Sequence, residues 1–178
     1  MITRRLSGPG YGGKALSSWL VLLQSTNLVE REEAEAAVRE IGTNAVPILT
    51  AWLSHRDSAP EKWLSGWLAR TGVFTRDRFS ENYYRSKALC GFRVLGPTAR
   101  PAISDLRKLI VDTDRGLSLY ASYALALVAP AEAQKLVEEW SGVTNRNLVV
   151  SNLRKALVMR NVFMESQSAG HDHAPVAH

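Results

Sequence analysis

Apolar positions recur at helical spacing through most of the chain. Ala34, Ala37, Val38 and Ile41 fall at i, i+3, i+4 and i+7, the stripe of an amphipathic helix whose remaining face is polar. Leu16, Trp19, Leu20 and Leu23 make an earlier stripe, and Val46, Leu49, Trp52 and Leu53 a later one. Ile103, Leu106 and Ile110 repeat the pattern, followed by Leu117, Ala121, Ala124, Leu125 and Val128. Ala133, Leu136, Val137 and Trp140 come next, then Val149, Leu153, Ala156 and Leu157. Sustained apolar/polar alternation and Asn-Gly or Asp-Gly hairpin turns are lacking, so the pattern predicts an all-α protein.

Two of these stripes belong to a repeated unit. Residues 34–49 align without gaps on residues 88–103, with Ala34, Gly42, Ala45 and Pro47 matched by Ala88, Gly96, Ala99 and Pro101. A weaker third copy runs from Ala121 to Ala129-Pro130, with Ala129 where the others have glycine. Glycine is the residue that most cheaply ends a helix in a left-handed conformation. A proline early in the following helix costs no hydrogen bond. Each unit is therefore expected to be a tight helix hairpin. Both helices are apolar on one side only, so a pair cannot bury its face alone and the pairs must stack.

These residues resemble HEAT repeats, through the pattern A-x-x-A-(L/V)-x-x-(I/L)-G-x-x-A-x-P-x-(I/L) at Ala34–Leu49 and more loosely at Ala88–Ile103. The opening Tyr11-Gly12-Gly13-Lys14-Ala15-Leu16-Ser17-Ser18-Trp19-Leu20 is similar to the lead-in of many uncharacterised bacterial HEAT-repeat proteins. The resemblance covers about Tyr11 to Met159. It implies a short right-handed α-solenoid of antiparallel helix pairs, acting as a non-enzymatic scaffold for a protein or peptide, with no catalytic residues to carry over. On this reading residues 1–10 are a flexible leader, 11–164 a single repeat domain with an insert at about 55–84, and 165–178 a disordered tail.

Composition narrows the function classes. With 178 residues, 46% of them apolar and 22% charged, the chain can build an ordinary core without staples. The single cysteine, Cys90, excludes an internal disulfide and a cysteine-based zinc site. It falls inside a helical stripe, where a buried, inert thiol is expected. No apolar run approaches the length of a membrane span, since that at Trp19–Leu23 stops at Gln24. Gly8-Pro9-Gly10 stands where a signal peptide would be apolar, so a cytoplasmic location is expected, unless a natural N-terminal segment is missing.

Charge is unevenly spread. The net charge is 22 − 17 = +5, but Lys62 to Lys108 carries ten Lys and Arg against Asp77, Glu81 and Asp105. Such a segment suits either a solvated helix surface or a phosphate backbone, and nucleic-acid binding through residues 62–108 is the alternative to a protein partner. Arg146, Arg154, Lys155 and Arg160 would extend that basic surface. Within the segment, Trp63 and Trp67 alternate with Lys62, Arg70, Arg76 and Arg78. Trp63, Leu64, Trp67 and Leu68 are spaced for one face of a helix starting after Pro60-Glu61. That face can plug the core between two units, or present the aromatic–arginine mixture found at interfaces.

No catalytic constellation is apparent. Gly8 to Lys14 is glycine-rich, yet lacks the Gly-Lys-Ser/Thr ending of a phosphate loop, and is expected to be a flexible leader. His171, His173 and His178 flank Asp172 in the tail, where a flexible chain would bind a metal only weakly. No cofactor or metal is therefore assigned. The candidate interaction surface comprises Arg100, Ser104, Arg107 and Lys108 on a second helix, with Trp63, Trp67, Arg76 and Arg78 of the insert.

Overall fold

A computed structural model describes residues 9–56 and 81–171, with side chains through Glu165. Its elements are α1 (Leu16–Leu22), α2 (Leu28–Ile41), α3 (Val46–Leu53), α4 (Glu81–Leu95), α5 (Ile103–Ile110), α6 (Arg115–Val128), α7 (Pro130–Trp140) and α8 (Asn147–His171). The protein is all-α, apart from a short hairpin of β1 (Gly10–Tyr11) and β2 (Lys14–Ala15).

That hairpin corrects the reading of the glycine-rich run as a flexible leader. Gly12 and Gly13 both have positive φ, 56° and 77°, as a two-residue turn matched to strand twist requires. Trp19 Nε1 donates to the Tyr11 carbonyl at 3.1 Å, and the Lys14 ammonium lies 4.5 Å from the Trp19 ring centroid. The run is thus tied back onto α1. At the other end, α8 continues through Glu165 to His171, past the point where the composition suggests disorder.

The turns of the first two units follow the sequence closely. α2 ends at Gly42 with φ 58°, and the same turn recurs at Gly96 with φ 49°. In each case a 3₁₀ segment, Gly42–Ala45 or Gly96–Ala102, leads into the next helix. Pro47 lies in the first turn of α3, while Pro101 lies in the 3₁₀ segment just before α5. In the third unit Ala129 takes φ −145° and ψ 74°, and Pro130 starts α7 directly. Without glycine, the chain turns through one residue of negative φ instead of a positive one.

Helices pack in sequence order: α1 lies on α2 and α4, α4 on α2, α3 and α6, α6 on α5, α7 and α8, and α7 on α8. A single hydrophobic cluster runs from Leu16 to Ala156. Ala34, Ala88 and Ala121 are all fully buried, small residues that let neighbouring helices come close. The tightest approach is at Gly91, where a Cβ would lie 2.5 Å from Leu49 Cδ2 and 3.0 Å from Leu20 Cδ2. Gly91→Val is therefore expected to destabilise the fold by about 2–3 kcal/mol through overpacking, measured as a lower midpoint in thermal unfolding followed by circular dichroism.

Candidate functional site

The second helices of the first two units, α3 and α5, border a cleft of 590 Å³ lined by Thr43, Val46, Pro47, Thr50, Pro101 and Asp105. Its floor is mostly apolar. Thr50 is half-buried, and its Oγ1 is fully buried without a hydrogen-bond partner among the described residues. Leu106 and Ile110 anchor α5 in the core, which turns Ser104, Arg107 and Lys108 outwards on the opposite side. Those three and Arg100 are all exposed.

The charges of this ridge are largely matched. Arg107 pairs with Glu132 of α7, linking one second helix to the next. Lys108 Nζ lies 2.9 Å from Asp105 Oδ1, and Lys135 of α7 is 3.8 Å from Glu139. Arg100 has no ion pair among the described residues. The ridge is thus a mixed-charge surface with one uncompensated cation. Trp63, Trp67, Arg76 and Arg78 lie outside the described residues, as does the expected helix around them.

Among its described residues, the basic middle segment contains two cations that face inwards. Arg85 is 2% exposed, and its Nη2 lies 2.7 Å from Asp114 Oδ2 and 3.2 Å from Glu81 Oε2. The same nitrogen reaches the His55 carbonyl at 3.5 Å. Asp114 also caps α6, its Oδ1 accepting from the Gly116 and Leu117 amides at 2.9 and 3.1 Å. A Cβ on Gly116 would sit 2.9 Å from Arg85 Nη1, so glycine there makes room for the guanidinium. Beside this cluster, Arg56 donates to both carboxylate oxygens of Asp112 at 2.8 Å. Tyr84 meets Trp52 edge-to-face and His55 at a tilt, with centroids 5.3 and 4.5 Å apart. Tyr83 and Tyr84, grouped by sequence with the insert, thus belong to α4.

Lys87 is 6% exposed. Its ammonium donates to Gln24 Oε1 at 2.5 Å and lies 5.3 Å from the Tyr83 ring centroid. Desolvation pushes its pKa below the ordinary lysine value, partly opposed by Cys90. Cys90 is half-buried, not sealed in the core, and Gln24 Nε2 donates to its Sγ at 3.3 Å. It borders a 440 Å³ cleft with Gln24, Arg31, Glu35, Arg93 and Phe163. Among the described residues no group of three His, Cys, Asp or Glu is placed to hold a metal. The histidine tail lies outside the described side chains. No helix of the described residues is long and apolar enough to cross a membrane.

Compared with protein-family models, curated proteins and solved structures, the chain finds no match.

Desolvation pulls the Asp114 carboxyl upwards, but the Leu117 amide, the Arg85 guanidinium and the Gly116 amide together hold it below the usual aspartate value. A depressed carboxyl stabilises the fold above the unfolded-state value, about pH 4, and loses that contribution as pH falls through the folded-state value. Asp114→Asn leaves Arg85 buried with Glu81 alone and is expected to cost about 3 kcal/mol at neutral pH. In urea melts of both proteins, the gap should narrow on acidification below about pH 4. Lys87 is shifted in the same direction for a different reason: burial disfavours its ammonium, so its folded state too binds protons less readily than its unfolded state. Its contribution therefore rises with pH up to about 10.5. Lys87→Met should gain stability at neutral pH and flatten the alkaline rise in the urea midpoint.

Proposed function

We propose that the chain is a non-enzymatic, cytoplasmic interaction scaffold, a short right-handed α-solenoid of the HEAT-repeat type that binds a protein or peptide along its second helices. Two features support the architecture. The turns at Gly42 and Gly96 both use a positive φ and lead into a 3₁₀ segment, and the α3–α5 cleft and the Arg107–Glu132 pair connect successive second helices.

The observation that carries the partner class is the balance of charge on the ridge. Arg107 and Lys108 are already paired with carboxylates. Arg85 and Lys87 are buried. A phosphate backbone is held by exposed, uncompensated cations in number, and this ridge offers mainly Arg100. A mixed-charge surface beside an apolar cleft instead suits a polypeptide, whose side chains bring both signs of charge and apolar groups together. Nucleic-acid binding through residues 62–108 rests on the insert cations Lys62, Arg70, Arg76 and Arg78, which lie outside the described residues.

Affinity capture from lysate of the source cells, with nuclease and moderate salt, tests the reading. The wild-type chain should retain discrete proteins that Arg100→Glu/Lys108→Glu loses, while the variant keeps its circular dichroism spectrum. Capture unchanged in the variant excludes the ridge as the binding face. Capture abolished by nuclease moves nucleic acid to first place.

A further inference from the structure

The last helix is apolar on two sides. Val149, Leu153 and Ala156 pack into the core, as the third and fourth positions of each turn should. On the side turned away from them, Leu148, Val158, Met159 and Val162 are exposed by 49, 61, 57 and 57%. Lys155 falls in the same row, seven residues after Leu148 and four before Met159, and Arg154 lies beside it. Both are exposed. A lysine in such a row lays its aliphatic stem along the apolar side chains and carries its ammonium beyond them.

Charge on this part of the chain is mainly positive. From Ser141 to Glu165 there are four cations, Arg146, Arg154, Lys155 and Arg160, and one carboxylate, Glu165. None of the four forms an ion pair among the described residues. Arg146 lies 4.9 Å from the Trp140 ring centroid, Arg154 donates to Ser141 Oγ at 3.1 Å, and Arg160 donates to Asn161 Oδ1 at 3.2 Å. The carboxylates of the adjoining helix α7 are engaged elsewhere: Glu132 with Arg107, Glu139 with Lys135, and Glu138 with Gln134.

We propose that the outer face of α8 docks the protein on an anionic membrane surface, lying in the interface with its aliphatic row immersed and Arg154 and Lys155 among the headgroups. An acidic bilayer satisfies both halves of this surface, apolar contact for the aliphatic row and counter-charge for the cations. A second copy of the chain would cover the aliphatic residues, but a symmetric pairing would bring together two surfaces of net positive charge. A nucleic acid would neutralise the cations and leave the aliphatic row without a partner, since the exposed apolar side chains here are aliphatic or methionine and offer no ring for base stacking. The proposal is independent of the scaffold reading, which concerns the ridge of α3, α5 and α7.

The test is flotation of the full chain with vesicles containing about 30% phosphatidylserine in phosphatidylcholine, against phosphatidylcholine alone. Binding is expected to the anionic vesicles only and to fall as salt is raised. Arg154→Glu/Lys155→Glu should weaken it at least about tenfold, and Val158→Ser/Val162→Ser should weaken it as well without any change of charge. All four positions are exposed or flank exposed positions, and circular dichroism verifies that each variant stays folded. No flotation with anionic vesicles at low salt overturns the proposal. So does wild-type binding by Val158→Ser/Val162→Ser, which would reduce the contact to adsorption by charge. Displacement of the vesicles by polyglutamate or duplex DNA of equal charge also overturns it, by assigning the face to a soluble polyanion.

Discussion

The burial of one guanidinium governs how the middle of this molecule is put together. Arg85 sits below the surface with Glu81 one turn before it and Asp114 opposite, and a charge so placed is tolerated only while its partners stay in place. Asp114 is at the same time the cap of α6. The start of α4 and the start of α6 are consequently fixed to each other by one side chain. The His55 carbonyl and the neighbouring Arg56–Asp112 pair bring the end of α3 to the same point. At the far end of α4, the Gly96 turn needs only a local backbone conformation. The two ends of the helix are thus held by different physics, one by ion pairing across the fold and one by the freedom of a residue without a Cβ.

This difference explains what the amino-acid pattern revealed and what it concealed. The helical stripes and the turns at Gly42 and Gly96 depend on near neighbours, and every one of Leu16, Ala34, Leu49, Ala88, Leu106 and Leu125 is buried as its spacing implies. Arg85 and Lys87, by contrast, look like solvated cations in a basic segment. Only Asp114, 29 residues away along the chain, and Gln24, 63 residues away, give them reason to turn inwards. The one local hint was Gly116 in the first turn of α6, a residue with low helix propensity in a place that otherwise has no need of it. The exposed positions of α5 were legible from its apolar stripe. The pairing of Arg107 with Glu132 was not, because it requires knowing that α5 and α7 are neighbours. The Gly12-Gly13 turn was missed because glycine-rich leaders are more often read as slack chain, although two adjacent glycines also permit a tight hairpin turn.

The described surface has two regions of contrasting electrostatics. On α5 and α7, cations and carboxylates alternate and largely satisfy one another, leaving a surface whose field is weak. On α8, Arg154, Lys155 and Arg160 stand among aliphatic side chains with Glu165 as the one carboxylate of the helix. Of these two regions, α8 is therefore the one that exerts long-range attraction on an anionic partner, although the net charge of +5 is modest.

The chain leaves the described body at Arg56 and re-enters it at Glu81, and both points belong to the Arg85–Asp112–Asp114 cluster. The exit and the entrance of the intervening stretch are held by side chains of the body itself. Loss of any one of Arg56, Arg85, Asp112 or Asp114 would therefore loosen the end of α3 and the starts of α4 and α6 together, and not one helix alone.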